Sequence, residues 1–532
     1  MNFRRTSHIL RITFLGILSL LLLNDCAQAK RDDGTPEPAS IERIHALTLE
    51  GLQYLYNFEL ERANEKFAAA SSIDPLHPRP LVSMSLAPLW RHISTRSAVD
   101  YEEVVLRTTN AIEAGERFLE RYERDPKDTD ARRARADALT CIGIAYGNRA
   151  FAHALAKSYL KSAWDGKKCY DYFRDAAAMD PKFYDAYLGL GLLHFGVSYI
   201  PKPLQWIVSI LGIEADRERG VKEIVLAGKK GKFTTVEAKY YLAQFLPWVK
   251  GDFEGSTQLM EELVQEYPRN TVFLYARGFL KLRQNRVDSA LPYFMRMKAN
   301  ADPYFWVVDA FADLRIGDCY FRRGEYRKAY EAFTGFLAVR TPFQFEALGS
   351  YYAGIALELL GDRVAALALY DRASRAEAKH GDDIYAARHA AQLVKSPLSA
   401  IDSLIMLGRS AYRRSDFEEA SRFYTVVLQN SGANGDRKGE AAYGLGECAF
   451  DRQQYDDAAV QFREALKLNV KSERWVLPWS HFMLGQIAVK AGDFAAARKE
   501  FNRVLDYDDY DGRNWLSFRA EQELERLKHR SP

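Results

Sequence analysis

Cysteine is scarce in this chain: five in 532 residues. That excludes a disulfide-stapled scaffold, even in an oxidising compartment. No pair of cysteines stands at zinc spacing, and neither H-E-x-x-H nor G-x-S-x-G occurs. Charge of one sign is lacking too. The chain carries 74 basic and 71 acidic residues, so nothing resembles the basic stripe of a nucleic-acid binder. Long unbroken apolar runs are absent. The stretch Ile12–Leu23 is shorter than the roughly 20 residues a membrane span needs. The run 195–213 is broken by Pro201 and Pro203, which excludes a single spanning helix.

What is present is a rhythm. Gly51 is followed by Tyr54, Ala63, Phe67, Ala70 and Pro75, at offsets of 3, 12, 16, 19 and 24. The same offsets give Gly317, Tyr320, Ala329, Phe333, and Gly446, Ala458, Phe462, Ala465. They recur as Gly354, Ala366, Tyr370, Ala373; as Gly408, Ala420, Tyr424; and as Gly485, Ala497, Phe501. Small residues at two positions imply two helices crossing closely. The aromatics are expected to fill the gap between one hairpin and the next. Turn signals such as Gly324-Glu-Tyr326, Ser415-Asp-Phe417 and Gly492-Asp-Phe494 supply a helix end and a cap for the next helix.

This spacing resembles the tetratricopeptide repeat. The resemblance implies an all-α superhelical solenoid of about ten helix-turn-helix repeats, whose concave groove takes a peptide or a partner helix. Residues 138–245 also resemble the tetratricopeptide-repeat protein 39 family and its relatives associated with the mitochondrial outer membrane and inclusion clearance. That resemblance rests on Gly143-Ile-Ala-Tyr-Gly-Asn-Arg-Ala150, Asp185-Ala-Tyr-Leu-Gly-Leu-Gly191, Ile200-Pro201 and Gly212 through Asp216-Arg-Glu-Arg-Gly220.

The first 29 residues read as a signal peptide. Arg4, Arg5 and Arg11 form the basic start, and Ala27-Gln28-Ala29 fits the small-x-small cleavage rule. Removal of three arginines and one aspartate with it leaves 71 basic and 70 acidic residues. A lipoprotein reading places the lipid on Cys26, but Asp25 before it is not the small residue such signals carry. Residues 30–40 read as a flexible linker. An N-terminal array follows over 41–303, with an extended hairpin and apolar insert at 129–232. A C-terminal array covers 304–511, with an inserted helix near Asp382 to Val394. A capping helix and tail close the chain at 512–532. Residues 81–128 read as one helix pair with a long second helix from about Asp100 to Tyr122. Cys141, Cys169, Cys319 and Cys448 read as buried thiols, a Cys141–Cys169 bridge being the other option.

Several motifs fail on inspection. Gly189-Leu-Gly191 lacks the third glycine of a dinucleotide loop, because position 194 is His. Ser158-Tyr-Leu-Lys161 matches S-x-x-K but has neither S-D-N nor K-T-G to accompany it. Asp506 to Gly512 lacks the Glu of a calcium loop. The expectation is therefore an exported, non-enzymatic scaffold for protein partners in the periplasm or cell envelope, with no cofactor, metal, nucleic acid or small-molecule substrate. The alternative is an outer-membrane or cell-wall assembly factor attached peripherally to a membrane; an enzyme is a third. In the run 195–213, Tyr199, Ile200, Trp206 and Ile207 are the candidates for membrane or partner docking, the other reading being a buried turn.

Overall fold

The computed structural model describes residues 38–122, 127–198, 212–249, 252–302, 305–339, 345–378 and 381–528. These are helical, and among them no strand is found. The chain opens with α1 (Pro38–Tyr56) and α2 (Leu60–Ile73). Then come α3 (Pro78–Ser83), α4 (Leu86–Thr95) and α5 (Ala98–Leu119). The longest hairpin is α6 (Thr129–Leu155) with α7 (Tyr159–Met179). Three further pairs are α8 (Ala186–Val197) with α9 (Arg217–Lys230), α10 (Thr235–Val249) with α11 (Phe253–Glu266), and α12 (Thr271–Arg283) with α13 (Val287–Ala299). The regular C-terminal repeats start with α14 (Trp306–Arg322) and α15 (Tyr326–Ala338), then α16 (Glu346–Leu359) and α17 (Arg363–Arg375). The inserted α18 (Gly381–Lys395) precedes α19 (Ala400–Arg413) with α20 (Phe417–Gln429), α21 (Gly435–Asp451) with α22 (Tyr455–Lys467), and α23 (Val476–Ala491) with α24 (Phe494–Leu505). The last helix is α25 (Arg513–Lys528).

The repeat spacing has a direct steric cause. At each leading glycine the backbone of the first helix lies on the aromatic ring sixteen residues later. A β-carbon on Gly446 would sit 2.6 Å from the Phe462 ring, one on Gly317 2.6 Å from Phe333, and one on Gly408 2.7 Å from Tyr424. Those distances are shorter than any real carbon contact, so only glycine permits the crossing. The rings do more than fill the space between hairpins. Phe173 lies against Gly143 in its own hairpin and against Gly189 in the next, and Tyr424 likewise bridges Gly408 and Gly444. In the lengthened α6/α7 hairpin the ring is displaced to Phe173, but the same glycine–ring contact survives.

The turn between paired helices needs one left-handed residue. Gly324 supplies it at φ 75°, and Ser415 adopts it at φ 63° without the help of glycine. Asp416 then caps α20 by accepting the Glu419 N–H, satisfying one of the donors a helix start leaves unpaired.

Stacking does not follow chain order throughout. The α1/α2 hairpin packs on residues about 200 positions later: Leu52, Leu55 and Phe67 share a core with Met260, Leu274 and Phe294. Phe58 stacks on Phe305 at 4.6 Å, and Asn270 donates to the Tyr56 carbonyl at 2.7 Å. Over 81–128 the chain forms the pair α4 and α5, whose second helix is the long one, and the short α3 precedes them at 78–83. Pro78 and Pro80 fit the start of α3, where a missing N–H costs nothing. Cys141, Cys169, Cys319 and Cys448 are all buried and free, so no bridge joins Cys141 to Cys169.

Ala458 is fully buried beside Phe462, Ala465 and Tyr443, whereas its neighbour Asp457 is exposed. Ala458→Glu is expected to destabilise the C-terminal repeats by roughly 3 kcal/mol or more, since it overpacks the crossing and buries an unpaired charge. Asp457→Ala should be nearly silent. Denaturant melts of the two variants check this; equal midpoints contradict the repeat assignment.

Candidate peptide-binding groove

The first helices of the C-terminal repeats turn a polar, aromatic face inward. Arg409, Tyr412 and Arg413 lie on α19; Tyr443, Glu447 and Asp451 lie on α21, one turn apart. Arg315, Asp318 and Arg322 do the same on α14. The Tyr412 hydroxyl donates to Asp451 at 2.8 Å, and Arg322 holds Asp318 through bonds of 2.8 and 2.7 Å. Arg315 donates to the Tyr275 hydroxyl at 3.0 Å and stacks on the Phe279 ring. Arg413 lies close to the Tyr352 phenol, which helps hold its guanidinium charged.

The far wall of this space comes from the end of the chain. Arg519 on α25 sits between the rings of Phe482, at 4.5 Å, and Trp515, at 4.8 Å. Burial, with Arg283 as a like charge nearby, lowers its guanidinium to about 10. Gln522, one turn on, accepts from Arg217 at the start of α9. The superhelix therefore curls until its last helix meets its middle. Among the described residues, Arg315, Arg413 and Arg519 form no direct salt bridge, although Asp318 acts on the first two and Glu523 on Arg519 from a longer range.

Beside this space a cavity of about 350 Å³ opens between α16, α18, α19 and α21. Tyr351, Tyr385, Ile405 and Met406 supply its apolar wall. Its charges are matched internally. Arg409 pairs with Glu440, and Arg437 with Asp402 and Glu440 at 2.6 Å each. His389 lies 3.1 Å from Glu473. Burial and the three surrounding arginines 388, 409 and 437 push that imidazole down to about 3, so it is neutral.

A second cluster is sealed in the N-terminal half. Asp137 on α6 takes His45 Nε2 of α1 at 2.7 Å and Arg79 of α3, with His77 Nε2 3.7 Å away. Burial alone would raise the Asp137 carboxyl, but Arg79 and His45 more than offset it and hold it far below the usual range. Burial lowers His77 to about 4. Two imidazoles and a carboxylate within 4.8 Å are a donor set for a metal. Here the Arg79 guanidinium already neutralises the carboxylate, and the Lys232 ammonium lies 3.5 Å from His45 Nδ1. A divalent ion would face both cations, so the cluster acts as a clamp on α1, α3 and α6. Its members are up to 92 residues apart, and no local motif announces them.

Tyr199, Ile200, Trp206 and Ile207 lie outside the described residues, as do Cys26 and the signal segment. The flanks of that apolar run are described. Val197 and Ile213 meet against Ala163, Tyr170 and Leu193, so both ends of the run emerge together beside α7.

The family described as Iml2/Tetratricopeptide repeat protein 39 matches residues 175–395. A Tetratricopeptide repeat family matches residues 386–469 and 482–526. The chain is thus a tetratricopeptide repeat protein that resembles the tetratricopeptide repeat protein 39 family, with repeats suited to a protein–protein interaction scaffold. The match overlaps the expected stretch only from 175 and continues well beyond it. Among solved structures, yeast Tom70 is 14% identical, covers 86% of this chain and 99% of its own, and has a TM-score of 0.30. A tetratricopeptide repeat protein from Parabacteroides merdae ATCC 43184 is 13% identical over 54% of this chain and 96% of its own, with a TM-score of 0.24. Neither curvature nor partner follows from likeness at that level.

Burial, together with the neighbouring Asp451, raises the Glu447 carboxyl to about 7, against the pull of Arg409 and Arg413. A carboxyl raised in the folded state costs nothing below its unfolded value, costs progressively more as pH climbs from there to its folded value, and costs no more beyond it. Stability is therefore expected to fall between about pH 4.5 and 7. Glu447→Gln should remove roughly 1–3 kcal/mol of that fall. Melts at pH 5 and 7.5 check it; an unchanged slope in the variant contradicts the burial of Glu447.

Proposed function

We propose that the chain is an exported, non-enzymatic scaffold of the cell envelope that holds an extended, acidic segment of a protein partner in its inner groove. The observation that carries the reading is the set Arg315, Arg413 and Arg519 on three different helices. Each lies beside a ring or a phenol, and none forms a direct salt bridge among the described residues, so each keeps donors for a partner. Elsewhere in the groove arginines are matched pairwise, as Arg409 and Arg437 are. A peptide carboxylate can take the place that an internal acid takes at those sites, and arginine's planar fork suits it. Tyr275, Tyr352 and Trp515 offer flat contacts to the peptide between the charges.

Export rests on the basic start, apolar stretch and Ala27-Gln28-Ala29 of the first 29 residues. Attachment to an outer membrane or cell wall as an assembly factor is the second reading of the same groove. Catalysis would need an acid, a base and a reacting position within one open site. The titratable groups of the His45 cluster are closed off from solvent.

Fluorescence anisotropy with a labelled Glu/Asp-rich peptide and its Lys-rich counterpart tests the groove. The acidic peptide should bind, weaken with salt, and lose about tenfold or more in affinity in Arg413→Gln/Arg519→Gln. Equal binding of both peptides, or no effect of the two changes, overturns the reading. Intact mass of the native protein tests export: a chain starting at Lys30 is expected, and a retained leader or a lipid on Cys26 contradicts it.

A further inference from the structure

We infer that the tip of the α6/α7 hairpin is a docking surface for an anionic lipid bilayer. Most helices of the C-terminal repeats have 12 to 17 residues, whereas α6 has 27 and α7 has 21. At the far end of that added length the chain presents large apolar side chains to solvent. Phe151 is 48% exposed, Tyr159 62%, Leu160 79% and Trp164 69%. Leu160 and Trp164 are one turn apart and share a face of α7. Among the described residues nothing packs over them. Such exposed apolar groups in one place mark a binding surface.

The charges around the tip select the occupant. Lys157, Lys161 and Lys168 are exposed and have no ion pair among the described residues, while Lys167 is bound to Asp171. The nearby acid, Asp165, is buried under Arg149 at 2.7 and 2.9 Å and gives the surface no negative charge. Trp, Tyr and Leu beside lysines match the composition of a membrane interface, where rings sit at headgroup depth and ammonium groups meet anionic lipid.

Helix physics supports the same conclusion. The first turn of α7 has no acidic residue, and Ser158 makes no side-chain cap. Lys161 stands in that turn, where the helix dipole disfavours a cation. Placed as they are, the lysines and the positive helix end add their charge at one point. The base beneath is stiff: Arg149 bridges to Asp165, and Tyr101 bonds His153 at 3.0 Å. No described helix is long and apolar enough to cross a membrane, so contact at this tip is superficial.

Co-sedimentation of the full chain with vesicles tests the proposal. One set is phosphatidylcholine alone and the other contains about 30 mol% phosphatidylglycerol. Binding is expected to the anionic set and should weaken with salt. Leu160→Asp/Trp164→Asp should lower partitioning about tenfold or more, as should Lys161→Glu/Lys168→Glu on the anionic set. Val364→Asp, at an exposed apolar residue on α17, should change nothing. Unaltered circular dichroism melts establish that the variants fold, and unaltered binding of the acidic peptide keeps the result separate from the groove. Failure of the wild-type chain to bind the anionic vesicles overturns the proposal, and so does full binding by the Asp variant. Self-association of the wild-type chain that the Asp variant abolishes also overturns it, because the tip is then an interface between two copies.

Discussion

The structure depends on one contact, a glycine backbone pressed onto an aromatic ring sixteen residues ahead. It brings the two helices of a repeat close enough that any β-carbon at the glycine would collide with the ring. Alanine at offset 12 is the other small side chain of the crossing, and Ala63, Ala329 and Ala458 are all buried. Because Phe173 and Tyr424 also touch the glycine of the next hairpin, the same ring sets the spacing between repeats. The crossing angle, and with it the curl of the superhelix, follows from that repeated geometry.

The curl decides where polar groups can go. As the last helix approaches the middle of the chain, side chains on the inner face lose water. Arginines such as Arg409 and Arg437 gain carboxylate partners, while Glu447 is raised to about 7. Glu237 meets the same fate behind Tyr56, where burial raises it to about 7 as well. The arginines left without a direct salt bridge are then the groups of the inner face that a partner can satisfy. The clamp of Asp137, Arg79 and His45 shows the alternative outcome, in which a buried charge is completed internally and stays inert.

Much of this was legible in the sequence because it is local. The glycine–alanine–aromatic offsets located the crossings, the extra length between the glycines at 354 and 408 predicted α18, and the fourteen additional residues after Gly143 predicted the long α6/α7 hairpin. The division of the 78–95 segment into two short helices was not legible, since proline at a helix start and proline in a loop look alike. The return of α1/α2 onto residues 233–319 was also hidden, because a periodic signal specifies the neighbours of an average repeat and not which repeat is skipped. The His45–Asp137 clamp joins residues far apart in the chain and left no trace. The tip of α7 does leave one: Leu160 and Trp164 stand one turn apart amid lysines, in the stretch that also matches S-x-x-K.

The glycine–ring contact can be measured by a double-mutant cycle at Gly446 and Phe462. If the ring excludes a β-carbon, Gly446→Ala should be costly alone and much cheaper in the Phe462→Leu background, where a smaller side chain leaves room. The predicted coupling is about 1 kcal/mol or more. Costs that simply add would show that the crossing tolerates a methyl and that something other than this contact sets the repeat.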